Sequence, residues 1–251
     1  MPINQAEWAV GLGVLGAILG SFIATIVVRW PEGRSVARGR SACDGCGRTL
    51  SAAELVPLAS AALLRGRCRG CGGRIAPVHW RVELAALVVG AVAGWVAPGP
   101  EGLAGAVFGW LLLALLALDL AAFWLPDALT APLALSGVAA GLWFAPALTE
   151  RLIGGVAGFT ALWLVSLGYR RVRGRAGMGG GDPKLFGAIG LWLGWRMLPA
   201  VLLVACLAGL GFVLAQALRG RTVKRTDALP LGALLAMAAY PAWVLMVGLR
   251  P

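Results

Sequence analysis

Residues 177–186 read GMGGGDPKLF and lie between two long runs that carry almost no charge. Four of these ten residues are glycines, and Asp182 directly follows three of them. A carboxylate at the edge of a membrane is costly to desolvate, so an acidic residue there is a candidate functional group. Crowded glycines indicate a tight turn or the close approach of another backbone. A cytoplasmic turn with a solvated aspartate is equally consistent with this stretch alone.

The composition is that of a membrane protein. Hydrophobic residues make up 59% of the 251 residues and charged residues only 13%, whereas soluble domains average about 25% charged residues. Several runs are long enough to cross about 30 Å of hydrocarbon. We therefore predict an all-α polytopic membrane protein with about eight transmembrane helices. The predicted spans are 8–28, 82–97, 102–119, 127–146, 151–169, 185–197, 198–218 and 230–249.

The basic residues set the predicted orientation. The formal net charge of +11 could indicate nucleic-acid binding, but 19 of the 22 Lys and Arg residues lie in segments 29–81, 170–184 and 219–229. With eight spans these segments share one side of the membrane, and the positive-inside rule makes that side the cytoplasm. We therefore expect both termini outside, a lipid bilayer as the surroundings, and no nucleic-acid partner.

The first span, 8–28, is expected to be a retained helix. Only Glu7 is charged before it, so the basic start of a signal peptide is missing. Gly11, Gly13 and Gly16 match the spacing GxGxxG of a dinucleotide-binding turn. That turn needs a preceding strand, whereas inside an apolar helix small residues allow close helix packing. We favour the packing interpretation.

The segment 29–81 contains ten arginines and two CxxC pairs. Cys43 and Cys46 form the first pair, Cys68 and Cys71 form the second, and 21 residues separate the pairs. Two such turns supply four thiolates to a tetrahedral zinc ion, and a reducing cytoplasm favours metal binding over disulfides. A closed four-thiolate site is structural, so we expect Zn²⁺ to fold this loop and not to perform chemistry.

His79 and Cys206 are expected to have structural roles and not to take part in metal binding or catalysis. His79, the only histidine, is expected at the membrane interface because four cysteines already complete the zinc site. Cys206 lies in the middle of a span and is expected to pack against neighbouring helices. The predicted domains are the first transmembrane helix at 1–28, a cytoplasmic four-cysteine zinc-binding domain at 29–81, and a transmembrane core of seven helices at 82–251.

A second aspartate gives Asp182 a partner. Asp119 ends the third predicted span, and in the eight-span topology both aspartates lie at the inner membrane face. Hydrolysis of a peptide bond by two carboxylates needs one ionised group to activate water and one protonated group to polarise the carbonyl. Like charges held close cannot both ionise, so proximity separates the two pKa values. Asp127 is the alternative partner, but it follows Pro126 at a helix start, where an acid serves as an N-terminal cap.

The combination of motifs resembles the type 4 prepilin peptidases, which belong to the GxGD intramembrane aspartyl proteases. The motif GMGxGDxKL covers Gly177–Leu185, and Asp119 stands seven residues before Pro126 in a D-x6-PD pattern. Further landmarks are Gly20-Ser-Phe22, Arg29-Trp-Pro31, Ser35, the two CxxC pairs, Leu55-Val-Pro57 and Ser60. The resemblance covers nearly the whole chain.

The resemblance implies that residues 82–251 form an aspartyl peptidase core whose catalytic pair is Asp119 and Asp182. The residues of the supporting loop that match the motif are Gly179, Gly181 and Lys184. Its implied activity is cleavage of type IV prepilins and pseudopilins after a glycine, at the cytoplasmic face of the bacterial inner membrane. It also implies N-methylation of the new N-terminus with S-adenosylmethionine, for which the sequence itself provides no recognisable residue set.

Two positions depart from the family pattern, and two other functions stay open. Ala24 stands where members often have the Asn of GSFLN, and Pro183 follows Asp182 and removes a backbone donor. One alternative is a GxGD protease for other membrane helices, which would not need the zinc loop. The other is a zinc-ribbon transporter or assembly factor whose aspartates relay protons. A relay would place its acids near mid-membrane, whereas both aspartates here border inner loops.

Overall fold

The computed structural model describes residues 4–36, 41–43, 45–175, 177–220 and 229–250. Most of the predicted basic loop 219–229, together with Arg38, Arg40 and Asp44, therefore lies outside the described residues. The α-helices are α1 (Gln5–Arg29), α2 (Ala59–Leu63), α3 (Val78–Val96), α4 (Pro100–Ala122), α5 (Asp127–Ala140), α6 (Leu148–Arg173), α7 (Gly181–Leu193), α8 (Leu198–Leu218) and α9 (Leu231–Gly248). Two 3-10 helices cover Trp30–Glu32 and Ala52–Leu55. Across these ranges β-structure is limited to two isolated bridges, so the predicted all-α fold is confirmed.

Six of the described helices are long and apolar enough to cross a membrane, namely α1, α3, α4, α6, α8 and α9. Two more lie where spans were predicted but are shorter: α5 has 14 residues and α7 has 13. At 1.5 Å per residue each of these is about 20 Å long, less than the thickness of a hydrocarbon core. The multi-pass architecture is thus confirmed, and the predicted eight spans correspond to six full-length helices and two short ones.

The predicted spans 127–146 and 185–197 both run past the ends of their helices, and Arg151 lies where those helices end. Its side chain is only 2% exposed. Its guanidinium donates hydrogen bonds to the backbone carbonyls of Gly137, Phe144, Ala145, Pro146 and Leu191. The C-terminal turn of a helix leaves carbonyls without partners in the helix. Arg151 satisfies one such carbonyl in each short helix, that of Gly137 in α5 and that of Leu191 in α7, and therefore stabilises the ends of both helices.

The chain divides into two compact units, Met1–Ala114 and Leu115–Pro251. In the first unit α1 packs along α3 at very short range. A Cβ atom added at Gly16 would lie 2.2 Å from the carbonyl oxygen of Ala86. Only glycine fits at such a contact, so the third glycine of the GxGxxG sequence serves helix packing, as predicted.

In the second unit α7 lies at the centre. The helices α5, α6 and α9 all contact it, and ten of its 13 residues are buried. A Cβ atom added at Gly190 would lie 2.2 Å from the carbonyl oxygen of Gly154 in α6, so these two backbones touch. A helix held from three sides is a rigid support, and its first turn carries Asp182.

Candidate active site

Asp119 lies in the last turn of α4, and its side chain is held by the start of α9. The residue is 5% exposed. Its Oδ2 atom accepts a hydrogen bond of 2.7 Å from the backbone N–H of Ala233, and the N–H of Gly232 also faces this carboxylate. The first N–H groups of a helix have no partner within the helix and carry partial positive charge. A carboxylate is therefore a natural partner for the N-terminus of α9.

Asp182 lies in the first turn of α7 and not in a loop. The predicted loop 170–184 is therefore wrong at its end, because α7 already begins at Gly181. Asp182 is 6% exposed, and its Oδ2 atom accepts a hydrogen bond of 3.0 Å from the backbone N–H of Gly179. Pro183 is the third residue of the helix, where no intrahelical N–H bond is needed. The departure from the family pattern at this position thus leaves the helix intact.

The structure brings the carboxylates of Asp119 and Asp182 close enough for the charge of one to act on the other. The backbone N–H of Gly232 faces both carboxylates. Burial, and after it the charge of Asp119, raise the pKa of Asp182 to about 6. Two buried carboxylates that lie near the same helix start and repel each other are the arrangement expected of an acid and base pair.

Leu125, which the sequence analysis did not single out, packs against the glycines at the starts of α7 and α9. A Cβ atom added at Gly181 would lie 2.7 Å from the Leu125 Cβ atom. One added at Gly232 would lie 2.7 Å from Leu125 Cδ1 and 3.0 Å from Asp119 Oδ2. The two glycines therefore allow both helix starts to approach one leucine and the carboxylates beside it.

The predicted role of Asp127 as a helix cap is wrong. It is the first residue of α5, its neighbour Pro126 occupies the cap position, and no side chain caps this helix. The carboxylate instead forms an ion pair with Lys184, whose Nζ atom lies 2.8 Å from each of its oxygens. Both side chains are exposed, 69% for Asp127 and 49% for Lys184. This pair joins the first turn of α5 to the first turn of α7.

The four cysteines of the 29–81 segment form one cluster. All four Sγ atoms lie within 4.8 Å of one another, and those of Cys43 and Cys71 are 3.9 Å apart. Zinc–sulfur bonds of about 2.3 Å place the sulfur atoms of a tetrahedral site about 3.8 Å apart. The cluster is therefore a possible metal site, as predicted. Its members in the described part of the chain are cysteines alone, so His79 is not among them.

Two matching backbone turns present these thiols. The N–H of Cys43 donates to the carbonyl of Arg48, and the N–H of Cys68 donates in the same way to the carbonyl of Gly73, both at 2.9 Å. Gly47 and Gly72 adopt φ values of +70° and +69°, which glycine reaches without strain. Backbone N–H groups, first of Cys71 and then of Gly70, lower the pKa of Cys68 to about 6. A thiolate is the form that binds a metal.

The sequence analysis missed the donors at the start of α9 because backbone N–H groups leave no side-chain signature. The available signal was the order Pro230-Leu-Gly232 immediately before an apolar run. Proline followed by glycine at the beginning of a helix indicates a fixed entry angle and a close contact there.

Known proteins match both units of the chain. Residues 14–97 match the bacterial Peptidase A24 N-terminal domain, and residues 106–214 match the type IV leader peptidase family. A prepilin leader peptidase/N-methyltransferase of Burkholderia pseudomallei (strain K96243) is 40% identical over 254 residues, covering 89% of this chain and 81% of the relative. A protein of the same name from Aeromonas hydrophila is 40% identical, and the match covers 81% of this chain and 70% of the relative. One from Dickeya chrysanthemi is 36% identical, and the match covers 81% of each chain. No solved structure matches the chain.

Proposed function

Since the chain belongs to the type IV leader peptidase family, we propose that it cleaves the leader of type IV prepilins and pseudopilins after a glycine and N-methylates the new N-terminus. The observation that carries the peptidase half is the position of Asp119 and Asp182 around the N–H of Gly232. Two buried carboxylates held close to each other are suited to hydrolysis, because one can act as a base while the other keeps its proton.

In this proposal Asp119 is the base and Asp182 is the acid. Asp119 contacts the N–H groups of Gly232 and Ala233, and the N-terminus of a helix stabilises negative charge. Burial, and after it the charge of Asp119, raise the pKa of Asp182 to about 6 and so keep its proton in place below that pH. Asp119 then takes a proton from the attacking water while Asp182 donates its proton to the carbonyl oxygen of the substrate.

The support for the pair is rigid. Asp182 stands on the central helix of its unit, and Asp119 is held by the first turn of α9. Gly181 and Gly232 both lie against Leu125, so the two helix starts are fixed relative to one side chain. Carboxylates held by packed helices keep their separation while substrate binds, which preserves the coupling between them.

The metal in this proposal is Zn²⁺, bound by Cys43, Cys46, Cys68 and Cys71. Four thiolates fill a tetrahedral zinc ion and leave no position for water or substrate. The role is therefore structural, and the ion would stabilise a loop that has few buried apolar residues of its own.

We place the protein in the bacterial inner membrane with the aspartate pair facing the cytoplasm. The support is the distribution of Lys and Arg, of which 19 of 22 lie in the three segments assigned to the inner side. The orientation is testable with a cysteine introduced in loop 219–229, which should react with a membrane-impermeant reagent only from the cytoplasmic side. Labelling in intact cells would contradict it.

The central test is cleavage of a purified prepilin in detergent, followed by mass spectrometry of the product. Wild-type protein should release the leader with cleavage directly after a glycine, and Asp182→Asn should abolish this activity. Asp127→Asn is the matched control, because its carboxylate lies in the same unit but is exposed and paired with Lys184. If folded Asp182→Asn cleaves normally, the proposed peptidase mechanism is wrong.

A further inference from the structure

A cavity of about 300 Å³ lies in the first unit, between the cysteine loop and the facing ends of α1 and α3. Its walls combine α1 residues such as Ser21 and Arg29, the loop residue Arg74, and the α3 residues His79, Trp80 and Glu83. The volume is at the lower limit for sites that bind small molecules. Nothing in the peptidase mechanism uses this cavity.

Glu83 is the most unusual group of the cavity wall. It is 6% exposed, and among the described residues the one hydrogen bond to its carboxylate comes from the backbone N–H of Leu58, at 2.9 Å. A buried carboxylate is costly unless it is paired or receives several hydrogen bonds. The remaining acceptor capacity of Glu83 is therefore available to a cationic group in the cavity.

The carboxylate is also fixed in place. A Cβ atom added at Gly20 of α1 would lie 2.7 Å from the Glu83 Cα atom, so the two helices touch at this position. Leu58 has a φ of +60°, a conformation that a leucine rarely adopts. Backbone strain of this kind persists where the surrounding structure enforces it and is often found at functional sites. Here the strained residue is the one that donates to Glu83.

The rest of the wall fits a ligand that carries both charges and an aromatic ring. Arg29 and Arg74 offer guanidinium groups that suit a carboxylate. Trp80 and His79 offer flat rings that suit an adenine base, and Ser21 and Ser60 offer hydroxyl groups. S-adenosylmethionine combines an amino-acid carboxylate, a positive sulfonium, ribose hydroxyls and adenine. The donor and acceptor set of the cavity thus fits this methyl donor.

We propose that this cavity is the methyl-transfer site, that it binds S-adenosylmethionine, and that Glu83 receives the N-terminal ammonium of the cleaved pilin. The inference rests on the N-methyltransferase half of the proposed function. Glu83 is the sixth residue of α3, close to the end of a membrane-crossing helix.

The chemistry balances without a further reactant. The ammonium of the pilin gives one proton to the Glu83 carboxylate and becomes a neutral amine. The amine lone pair forms the new nitrogen–carbon bond as the sulfur–carbon bond breaks, and that electron pair stays on sulfur. The products are a methylated, positively charged amine and neutral S-adenosylhomocysteine, and Glu83 later returns its proton to water.

The first test is photo-crosslinking of radiolabelled S-adenosylmethionine to purified, zinc-replete wild-type protein, with the labelled peptides identified by mass spectrometry. Label is expected in peptides that contain Trp80 or residues 21–29, and excess S-adenosylhomocysteine should remove it. Trp80→Ala should lower the labelling at least about fivefold, the smallest effect expected for the loss of one aromatic stacking contact with a base. Specific labelling confined to residues 115–251 would overturn the assignment of the cavity.

The second test uses a pilin peptide that already lacks its leader, so that methylation does not depend on cleavage. Glu83→Gln should reduce methylation about 100-fold, the lower range for loss of a proton acceptor, while crosslinking persists. Glu32→Gln is the control, because that carboxylate is exposed and lies outside the cavity wall. Zinc content and leader cleavage report whether each variant is folded. Normal methylation by Glu83→Gln would overturn its role, whereas wild-type protein that cleaves but never methylates would refute the methyltransferase half of the proposed function itself.

Discussion

The carboxylate of Asp119 accepts a hydrogen bond of 2.7 Å from the backbone N–H of Ala233, 114 positions further along the chain. This contact ties the end of α4 to the beginning of α9. It gives one buried acid a fixed position that does not depend on another side chain. The same helix start also faces Asp182, so the geometry of the pair depends on how closely α9 can approach.

Gly232→Ala should therefore damage the site without unfolding the protein. The added methyl group would lie 3.0 Å from Asp119 Oδ2 and 2.7 Å from Leu125 Cδ1, so the carboxylate or the helix start must move. A displacement of about 1 Å at a catalytic group lowers rates about 100-fold, and we expect a loss of that order in prepilin cleavage. Gly211→Ala on α8 is the control, because a Cβ atom there meets nothing within 4 Å. Equal rates for the two variants would show that close approach at Gly232 is unimportant.

The two aspartates should behave as one unit. Asp119→Asn removes the base, and Asp182→Asn removes the acid that holds the proton. Each variant should therefore lower the rate of cleavage at least about 1000-fold, and the double variant should be little worse than either. Single-turnover cleavage of a prepilin by folded protein measures these losses. Losses that multiply in the double variant would indicate two independent roles.

The pH dependence follows from the raised pKa of Asp182. That pKa lies near 6, above its ordinary value of 3.8. The proton that the mechanism needs is therefore lost as the pH rises through about 6, and kcat/KM for prepilin cleavage should fall above that pH.

The free energy of unfolding should also fall as the pH rises, because ionising Asp182 costs more in the folded protein than in the unfolded chain. Wild-type stability should thus decline between about pH 4 and pH 6 relative to Asp182→Asn, which cannot ionise. Melting temperatures of the two proteins at pH 4.5 and pH 7.5 measure this, and a constant difference would contradict the buried, coupled state of Asp182.

The sequence predicted the existence of the helices better than their ends. Hydropathy locates a span because an apolar run has no other stable position than the membrane, and α1, α4 and α8 lie where it places them. The last turns of the short α5 and α7 each contain a carbonyl that accepts a hydrogen bond from Arg151. That interaction connects distant parts of the chain, so no local pattern reveals it.

In the candidate site, the sequence predicted the functional side chains better than the backbone conformation that holds them. The two carboxylates and the four cysteines could be predicted because acids near a membrane and paired cysteines are rare without a purpose. The helical position of Asp182 could not, because three consecutive glycines favour a loop by propensity. Packing of Gly181 against Leu125 outweighs that preference, and such packing is decided by the tertiary structure.

The ion pair of Asp127 and Lys184 should contribute little. Exposed pairs are worth about 0–1 kcal/mol, which corresponds to less than about a fivefold change in rate. Asp127→Asn should therefore cleave prepilin at no less than about one fifth of the wild-type rate, and Lys184→Met should do the same. A dead Asp127→Asn variant beside an active Asp119→Asn would instead make Asp127 the partner of Asp182.

Zinc should be required by the loop and not by the peptide-bond chemistry. Purified protein should contain about one zinc ion per chain, measured by mass spectrometry of the metal. Cys43→Ser combined with Cys71→Ser removes one thiolate from each turn, so the segment 29–81 should become sensitive to protease. Cys206→Ser is the control, because this cysteine lies on α8 and is not a member of the cluster. Normal protease resistance in the metal-free double variant would contradict a structural metal.

Arg151 should be the most important arginine for stability in the second unit. It lies outside the three basic segments 29–81, 170–184 and 219–229. The structure buries it, with only 2% exposure, and its guanidinium donates to five carbonyls. Each buried polar group left without a partner costs about 1–3 kcal/mol, so Arg151→Met should lower the melting temperature in detergent clearly. Arg151→Lys should be nearly as damaging, because one ammonium has three donors and lacks the planar fork of a guanidinium.

Arg196→Met is the matched control: this arginine pairs with Glu150 at 3.1 Å but is 71% exposed, and such pairs contribute about 0–1 kcal/mol. Equal melting temperatures for Arg151→Met and Arg196→Met would show that the carbonyls at the ends of α5 and α7 find other partners, and that Arg151 does not stabilise these two helix ends.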